Sequence, residues 1–237
     1  MLKDVSYRLT SESSDAVAVV RERVRAAAER SGRDPATILL VAVTKGVDVA
    51  HIEEAIAAGV RDIGENRVQE AVSKRAELAG GVRWHLVGHL QTNKARRAAE
   101  LFDTVHSVDS LRVAQALSAG RPHHLSALET LVEVELTGIS GRTGAPPSEL
   151  ANLVRGVSGL PAIRLTGLMT IAPPSPDPSA ARPWFARLRR HRDELEQETG
   201  IALPQMSMGM SDDFETAVEE GATMVRVGRA IFAPRMV

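Results

Sequence analysis

The sequence predicts a single (β/α)₈ barrel of the TIM type with an extra helix at its N-terminus. After residue 37, eight apolar, strand-like runs alternate with seven amphipathic helical stretches, which is typical of a parallel sheet with right-handed crossovers. Several runs are apolar throughout, as expected for strands that are covered on both faces. Eight such units in 237 residues fit one closed barrel. A doubly wound open sheet is the alternative, although no GxGxxG motif follows the first strand.

The elements follow one another in a regular order. Residues 12–32 carry apolar positions at helical spacing and end at Gly32, so they predict the N-terminal helix. We expect residues 1–10 to form a mobile arm and the whole chain, 1–237, to be one domain. The predicted strands are 38–45, 61–66, 83–90, 103–109, 127–137, 163–171, 204–210 and 224–232. The predicted helices between them are 48–59, 68–78, 93–102, 110–120, 148–159, 183–200 and 211–221.

Composition excludes several classes of protein. The formal net charge is −1, which gives no electrostatic footprint for nucleic acid or for an anionic membrane. The chain contains no cysteine, so disulfides, thiolate nucleophiles and cysteine metal sites are excluded. The N-terminal residues lack the apolar core of a secretion signal, and no stretch is long enough to span a bilayer. We therefore expect a cytoplasmic protein that binds neither nucleic acid nor membrane.

A lysine at the end of the first strand is the first chemical signal. Of the 29 basic residues only four are lysines, namely Lys3, Lys45, Lys74 and Lys94. Lys45 closes the apolar run ILLVAVTK, and the carboxyl ends of the strands form the active face of a β/α barrel. A partly desolvated lysine amine forms an imine with an aldehyde, which arginine cannot do.

The last two strands of the predicted barrel supply a candidate anion site. The segment SMGMSDDF passes from a strand into the start of a helix, where free backbone N–H groups suit a phosphate. Ser207 and Ser211 lie in this segment, although on this segment alone an ordinary helix cap is the favoured interpretation of Ser211. Asp212 and Asp213 would repel a phosphate unless they face outward. Arg226, which is followed two residues later by a glycine, lies on the eighth strand.

Two other polar features have structural explanations. Asn66, at the end of the second strand, can simply cap the helix that follows it. His85 and His89 are four residues apart, but no third metal ligand follows at a recognisable spacing, so hydrogen-bonded structural histidines are the favoured interpretation. The combination is more informative than any one residue. An amine for an aldehyde, a phosphate site and an arginine nearby together suggest pyridoxal 5′-phosphate (PLP) as the ligand.

The sequence also resembles a known family, the pyridoxal phosphate homeostasis proteins. The similarity lies in VAVTKG, GENRVQEA, WHLVGHLQTNK, VHSVDS, GLMTI and SMGMSDDFETAVEEGATMVRVGRAIF, which occur in order between about residues 38 and 233. The resemblance implies the barrel fold of alanine racemase and a PLP cofactor held as a Schiff base. It also implies a role in intracellular PLP (vitamin B6) balance rather than a reaction catalysed by the protein itself.

The same resemblance implies a role for each site residue. Lys45 would carry the Schiff base, and Arg226 would face the pyridine nitrogen. The remaining residues would surround the phosphate or lie near the ring: Ser207, Ser211, Gly228 and Arg229 at the phosphate, Asn66 and Met169 at the ring. Three departures from the family pattern are Gly46, the segment GRTG and Arg229. Because Arg229 replaces the usual hydroxyl residue, we expect the backbone to hold the phosphate while its side chain points into solvent.

A PLP-dependent racemase-like enzyme is the alternative function. Racemisation needs a base on each face of the substrate carbanion, and in barrel racemases a tyrosine from a second domain of the partner subunit supplies one of them. Here the predicted eighth strand ends near the end of the chain, and the only tyrosine is Tyr7. We therefore expect a PLP carrier without efficient catalysis, mainly monomeric, with PLP-dependent apo-enzymes as possible recipients of the cofactor.

Overall fold

The computed structural model describes residues 3–78 and 80–232, with the backbone alone for residues 3–12. Its strands form a closed parallel barrel in sequence order, and the first strand pairs with both the second and the eighth. The strands are β1 Leu39–Val43, β2 Asp62–Glu65, β3 Arg83–Leu86, β4 Thr104–Val108, β5 Leu128–Glu133, β6 Ile163–Met169, β7 Gln205–Ser207 and β8 Met224–Val227. The predicted fold class is confirmed.

The helices lie between the strands, outside the barrel. They are α1 Lys3–Arg30, α2 Val49–Ala57, α3 Val68–Glu77, α4 Ala95–Leu101, α5 Leu111–Gly120, α6 Leu150–Ser158, α7 Arg182–Thr199, α8 Phe214–Glu219 and α9 Arg229–Phe232. Each of the seven helices predicted between strands is present. None of the helices in the described ranges is both long and apolar enough to cross a membrane.

Several predicted boundaries were wrong. The third, fifth and seventh strands, predicted as 83–90, 127–137 and 204–210, end earlier, at Leu86, Glu133 and Ser207. The first helix begins at Lys3 rather than at residue 12, so the backbone of residues 3–10, within the expected arm, is helical. Residues 1 and 2 lie outside the described ranges, and the mobility of the arm stays a prediction. The predicted eighth strand, 224–232, ends at Val227 and turns at Gly228 into α9. The apolar run continues beyond Val227 because Ile231 is buried on α9. A short apolar run alone does not distinguish a buried helix from a buried strand.

Helix α1 completes the ring of helices around the barrel. It packs against α2, α8 and α9, the position that a helix following β8 takes in such a barrel. Val17, Val20 and Val24 are buried on one face of α1, and each such side chain contributes about 1.5–3 kcal/mol of hydrophobic stabilisation. The guanidinium of Arg21 donates a hydrogen bond to the Ala58 carbonyl at 2.8 Å, just beyond the end of α2. The N-terminal helix is therefore part of the barrel wall.

The inside of the barrel is divided between apolar and polar side chains. Leu131, Met169 and Met224 form a small buried cluster that is separate from the main hydrophobic core. Polar side chains from β3, β4 and β8 are also buried there, among them His85, His106 and Arg226. Buried polar groups in proteins normally have hydrogen-bond partners. Of these three buried polar side chains, Arg226 also lines a cavity at the carboxyl ends of the strands.

Candidate functional site

A cavity of about 330 Å³ lies at the carboxyl ends of the strands, within the size range of small-molecule sites. We call it the strand-end cavity. Its wall consists of residues from β1, β8 and the segments that follow β1, β2, β3, β6, β7 and β8: Val43, Lys45, Asn66, Val87, Ile171, Met210, Ser211, Arg226, Gly228 and Arg229. Six of the eight predicted site residues are therefore brought together in one wall.

Lys45 is presented to this cavity by a turn at the end of β1. The strand ends at Val43, and Lys45 follows two residues later with an exposed side chain. The next residue, Gly46, has a φ of 68°, a left-handed conformation that glycine adopts without steric cost. The backbone therefore turns directly after Lys45, a residue that lines the cavity.

Arg226 reaches the same cavity from β8, but its side chain is buried. It is 4% exposed, and its guanidinium donates to the Ser207 hydroxyl at 2.6 Å and to the Thr170 carbonyl at 2.9 Å. Burial lowers the pKa of Arg226 to about 10, against the opposing effect of the Glu133 and Asp213 carboxyl groups. The guanidinium still carries its charge at neutral pH. Two of its five N–H donors are accounted for by these hydrogen bonds.

A chain of buried polar groups leads from Arg226 across the barrel. The Ser207 hydroxyl lies 2.8 Å from Nδ1 of His106, whose Nε2 lies 2.9 Å from Nδ1 of His85. Nε2 of His85 lies 2.9 Å from a carboxylate oxygen of Asp62. Because β4 and β7 are not neighbours in the sheet, the contact between His106 and Ser207 crosses the barrel interior. We call Asp62, His85, His106 and Ser207 the buried polar chain.

The two ends of the buried polar chain have a defined hydrogen-bond direction. Burial lowers the pKa of His106 well below its ordinary range, and the charges of nearby basic groups lower it further. The Asp62 carboxylate can only accept, so His85 donates to it from Nε2. At the other end, the Ser207 oxygen accepts from the Arg226 guanidinium and orients it.

The region between β7 and β8 offers backbone donors that could hold an anion. The backbone N–H groups of Gly228 and Ala230 both donate to the Ser211 hydroxyl, each at 3.3 Å. A Cβ atom at residue 228 would lie 3.1 Å from the Val43 carbonyl oxygen, so glycine permits the close approach of β8 to β1. The helix-cap explanation of Ser211 was wrong, because Asp213 occupies the N-cap position of α8.

Three charged side chains lie around this region: Arg229, Asp212 and Asp213. Arg229 forms an exposed ion pair with Asp212, as the sequence analysis anticipated for a side chain that points into solvent. Asp213 accepts a hydrogen bond from the Met210 N–H at 2.6 Å, and burial raises the pKa of its carboxyl group. Neither carboxylate lines the strand-end cavity.

The structure places two predicted site residues below the cavity wall. Met169 is fully buried with Leu131 and Met224, and Ser207 is fully buried between His106 and Arg226. Asn66 does line the cavity. It is not the cap of α3, because residue 67 holds that position.

Sequence reasoning missed most of the apolar wall and the buried polar chain. Val87, Ile171 and Met210 line the strand-end cavity, but apolar residues at strand ends look like ordinary core in a sequence. His106 could have been found, because VHSVD places a histidine in the middle of a strand that is otherwise apolar. His85 is hydrogen-bonded inside the barrel, whereas His89 lies outside β3 with its side chain 47% exposed.

The wall chemistry fits a ligand that combines an aldehyde with an anionic group. Lys45 supplies the primary amine, Arg226 a fixed cation, and the backbone beyond β8 the anion donors. The wall includes no carboxylate, imidazole or phenol group from the described residues. In the same part of the chain, no group of three histidines and carboxylates could hold a metal ion.

Comparisons with known proteins agree with this geometry. Residues 17–235 match the family model described as "Alanine racemase, N-terminal domain". The pyridoxal phosphate homeostasis protein of Pseudomonas aeruginosa is 46% identical over 226 residues, which cover 95% of this chain and 96% of that one. The PipY structure from Synechococcus elongatus PCC7942 with PLP bound has a TM-score of 0.79 at 40% identity, covering 90% of this chain and 100% of that one.

Enzymes share the fold at greater distance. Alanine racemase from Corynebacterium glutamicum aligns with a TM-score of 0.68 at 19% identity, covering 94% of this chain and 62% of that one. At this identity the similarity concerns the fold alone.

Proposed function

The chain belongs to the pyridoxal phosphate homeostasis proteins, within the family of alanine racemase N-terminal domains, and we propose that it binds PLP in the strand-end cavity and acts in PLP homeostasis. One observation carries the proposal: an exposed lysine amine and a buried, oriented guanidinium line the same cavity. PLP has an aldehyde for the lysine amine, a pyridine ring for the guanidinium and a phosphate for the backbone N–H groups.

Each end of the cavity has a proposed role. Lys45 holds the aldehyde carbon as a Schiff base, the reaction for which a primary amine is required. Arg226 faces the pyridine nitrogen, where a guanidinium discourages protonation of the ring. The backbone N–H groups of Gly228 and Ala230, with the Ser211 hydroxyl, hold the phosphate. Asn66 lies near the ring.

Because Ser207 and Met169 are fully buried, we propose indirect roles for them instead of direct contacts with the cofactor. Ser207 acts on the cofactor through Arg226, because its hydroxyl oxygen accepts from the guanidinium at 2.6 Å. Met169 supports the floor of the site from the buried cluster beneath it. Arg229 contributes its backbone, since its side chain is paired with Asp212.

Binding measurements with three related ligands test this proposal. Equilibrium dialysis of the purified protein should give the lowest Kd for PLP. Pyridoxal, which lacks the phosphate, and pyridoxine 5′-phosphate, which lacks the aldehyde, should each bind at least about tenfold more weakly, or ~1.4 kcal/mol. Equal affinity for PLP and pyridoxine 5′-phosphate would refute the Schiff base on Lys45.

A carrier is favoured over an enzyme by the composition of the cavity wall. Racemisation needs an acid–base group opposite the lysine, and the described residues place no carboxylate, imidazole or phenol there. An arginine at the ring nitrogen also weakens the ring as an electron sink. Incubation with D- and L-amino acids should therefore give negligible turnover. Robust turnover that Lys45→Ala abolishes would favour the racemase-like alternative.

The proposal extends to partners. The protein is proposed to act as a monomer, and light scattering would detect a stable dimer. PLP-requiring apo-enzymes are the proposed recipients, and the loaded protein should restore the activity of such an apo-enzyme faster than the same amount of free PLP. A cytoplasmic location stays a prediction.

A further inference from the structure

A second lysine, Lys74, is buried beside the turn that carries Lys45. It lies on α3, and its side chain is 8% exposed. Its Nζ donates to the Thr44 carbonyl at 2.5 Å and to carboxylate oxygens of Glu65 and Glu70, each at 2.7 Å. Three acceptors use the three N–H bonds of an ammonium group. We call Thr44, Glu65, Glu70 and Lys74 the Lys74 cluster.

The Lys74 cluster holds the backbone on both sides of Lys45. On the N-terminal side, the Thr44 carbonyl binds Lys74, and the Thr44 hydroxyl donates to Glu65 at 2.5 Å. On the C-terminal side, the Gly46 N–H donates to the same Glu70 oxygen that binds Lys74, at 2.6 Å. Lys45 therefore lies between two anchored residues, while its own side chain is exposed at the strand-end cavity.

The contacts of the cluster are charge-assisted and largely buried. Glu65 is fully buried, and burial raises the pKa of its carboxyl group against the effects of Lys74 and Thr44. For Glu70, burial alone would raise the pKa, but hydrogen bonds from Lys74 and the Gly46 N–H lower it. Charge-assisted hydrogen bonds are about twice as strong as neutral ones, and a buried charge that loses its partner is strongly destabilising.

We propose that Lys74, together with Glu65 and Glu70, is the positioning group for Lys45. It fixes the backbone of the turn so that the Lys45 amine is directed at the cavity, and this inference rests on the proposed function of Lys45. Orientation of a reacting group accounts for a large part of the efficiency of such reactions. Because the backbone of Lys45 is already anchored, it loses little further entropy when the imine forms.

The same contacts keep Lys74 from competing with Lys45. Imine formation requires an amine with a free lone pair, and all three N–H bonds of the Lys74 ammonium are engaged. An uncharged Lys74 amine would have only two N–H donors for these three acceptors. Lys74 therefore positions Lys45 without itself reacting.

Glu70 is the best residue to mutate, because its side chain is only partly buried. Its hydrogen bond to the Gly46 N–H can be removed or retained by the choice of substitution. Glu70→Ala removes the acceptor for the Gly46 N–H, whereas Glu70→Gln retains an amide oxygen in its place. Glu77→Ala is the matched control, because it removes an exposed carboxylate from the same helix, outside the cluster. Two readouts are needed: exchange of the Gly46 amide proton by NMR without ligand, and the Kd for PLP.

We expect Glu70→Ala to speed Gly46 exchange and to weaken PLP binding by about tenfold, or ~1.4 kcal/mol. Glu70→Gln should restore binding to within about threefold of wild type, and Glu77→Ala should match wild type in both readouts. Unchanged Gly46 exchange and unchanged PLP affinity in Glu70→Ala would overturn the proposal.

Lys74→Met tests the centre of the cluster. We expect faster Gly46 exchange and slower imine formation at Lys45, followed by absorbance. If Lys74→Met lowers only the Tm and leaves both readouts unchanged, Lys74 has a structural role and the proposal is wrong. If wild-type protein forms no imine with PLP, the proposed function fails instead, and Gly46 exchange alone then decides whether the cluster anchors the turn.

Discussion

At the β1 end of the strand-end cavity, Lys45 has an exposed side chain on an anchored backbone. At the β8 end, Arg226 has a buried side chain whose guanidinium is itself hydrogen-bonded to Ser207 and Thr170. Ionic contacts dominate around Lys45, where Lys74 meets two carboxylates. Around Arg226 the contacting groups are a hydroxyl and a backbone carbonyl.

The difference matches what each residue has to do. A lysine that forms and releases an imine must change its bonding, so its side chain has to be free while its backbone is fixed. An arginine that faces the ring nitrogen stays in one place, so its guanidinium can be fixed directly. Mutations at the two ends should therefore separate cofactor chemistry from protein stability.

The largest expected effect on stability is at Arg226. Arg226→Gln removes hydrogen bonds to Ser207 and Thr170 from a charged donor and should lower the free energy of unfolding by about 2–3 kcal/mol. Lys45→Gln, at an exposed side chain, should change it by less than about 0.5 kcal/mol. Urea unfolding of both variants measures this, with exposed Arg190→Gln as the arginine control. Equal losses for Arg226→Gln and Lys45→Gln would break the comparison.

The buried polar chain predicts a pH dependence of stability at the Arg226 end. Because burial holds the pKa of His106 well below the ordinary 6.5, the unfolded state takes up a proton below pH 6.5 that the folded state does not. The unfolded state then binds more protons, so the free energy of unfolding falls as pH drops, by about 1.4 kcal/mol per unit for this group.

His106→Gln should remove this contribution from the slope below pH 6.5. Exposed His124→Gln is the control and should leave the slope as in wild type. Urea unfolding between pH 7 and pH 5 makes the measurement. Identical slopes for wild type and His106→Gln would mean that His106 becomes protonated inside the barrel.

The smallest expected effect concerns Arg229. Its side chain pairs with Asp212 in solvent, and exposed ion pairs contribute little. Arg229→Thr should therefore leave the Kd for PLP within a few-fold of wild type. A loss of tenfold or more, ~1.4 kcal/mol, would place the guanidinium on the phosphate.

The sequence predicted the barrel well because strand and helix periodicity, repeated eight times, leaves few alternative topologies. Lys45, Asn66, Ser211, Arg226 and Gly228 line one cavity, since all lie at or just beyond strand ends that must meet at one face of the barrel. From the sequence, the N-terminal helix was predicted as an extra element outside the eight β/α units. Its role as part of the helix ring depends on packing against α2 and α8, which local patterns do not contain.

Long-range contacts explain what the sequence missed at the site. His106 and Ser207 are 101 residues apart, and Lys74 meets Thr44 across 30 residues, so no local spacing connects either pair. The family resemblance implied that Ser207 and Met169 would lie at the ligand. Whether a strand residue faces the cavity or the layer beneath it depends on register and on the length of each strand.

The Schiff base on Lys45 is the central claim, and chemical trapping tests it directly. PLP-loaded protein is reduced with borohydride, digested, and its peptides are mapped by mass spectrometry. The pyridoxyl group should be on Lys45, because Lys74 is engaged by three acceptors and Lys94 lines a neighbouring cavity. Pyridoxyl found mainly on Lys74 or Lys94 would contradict the assignment.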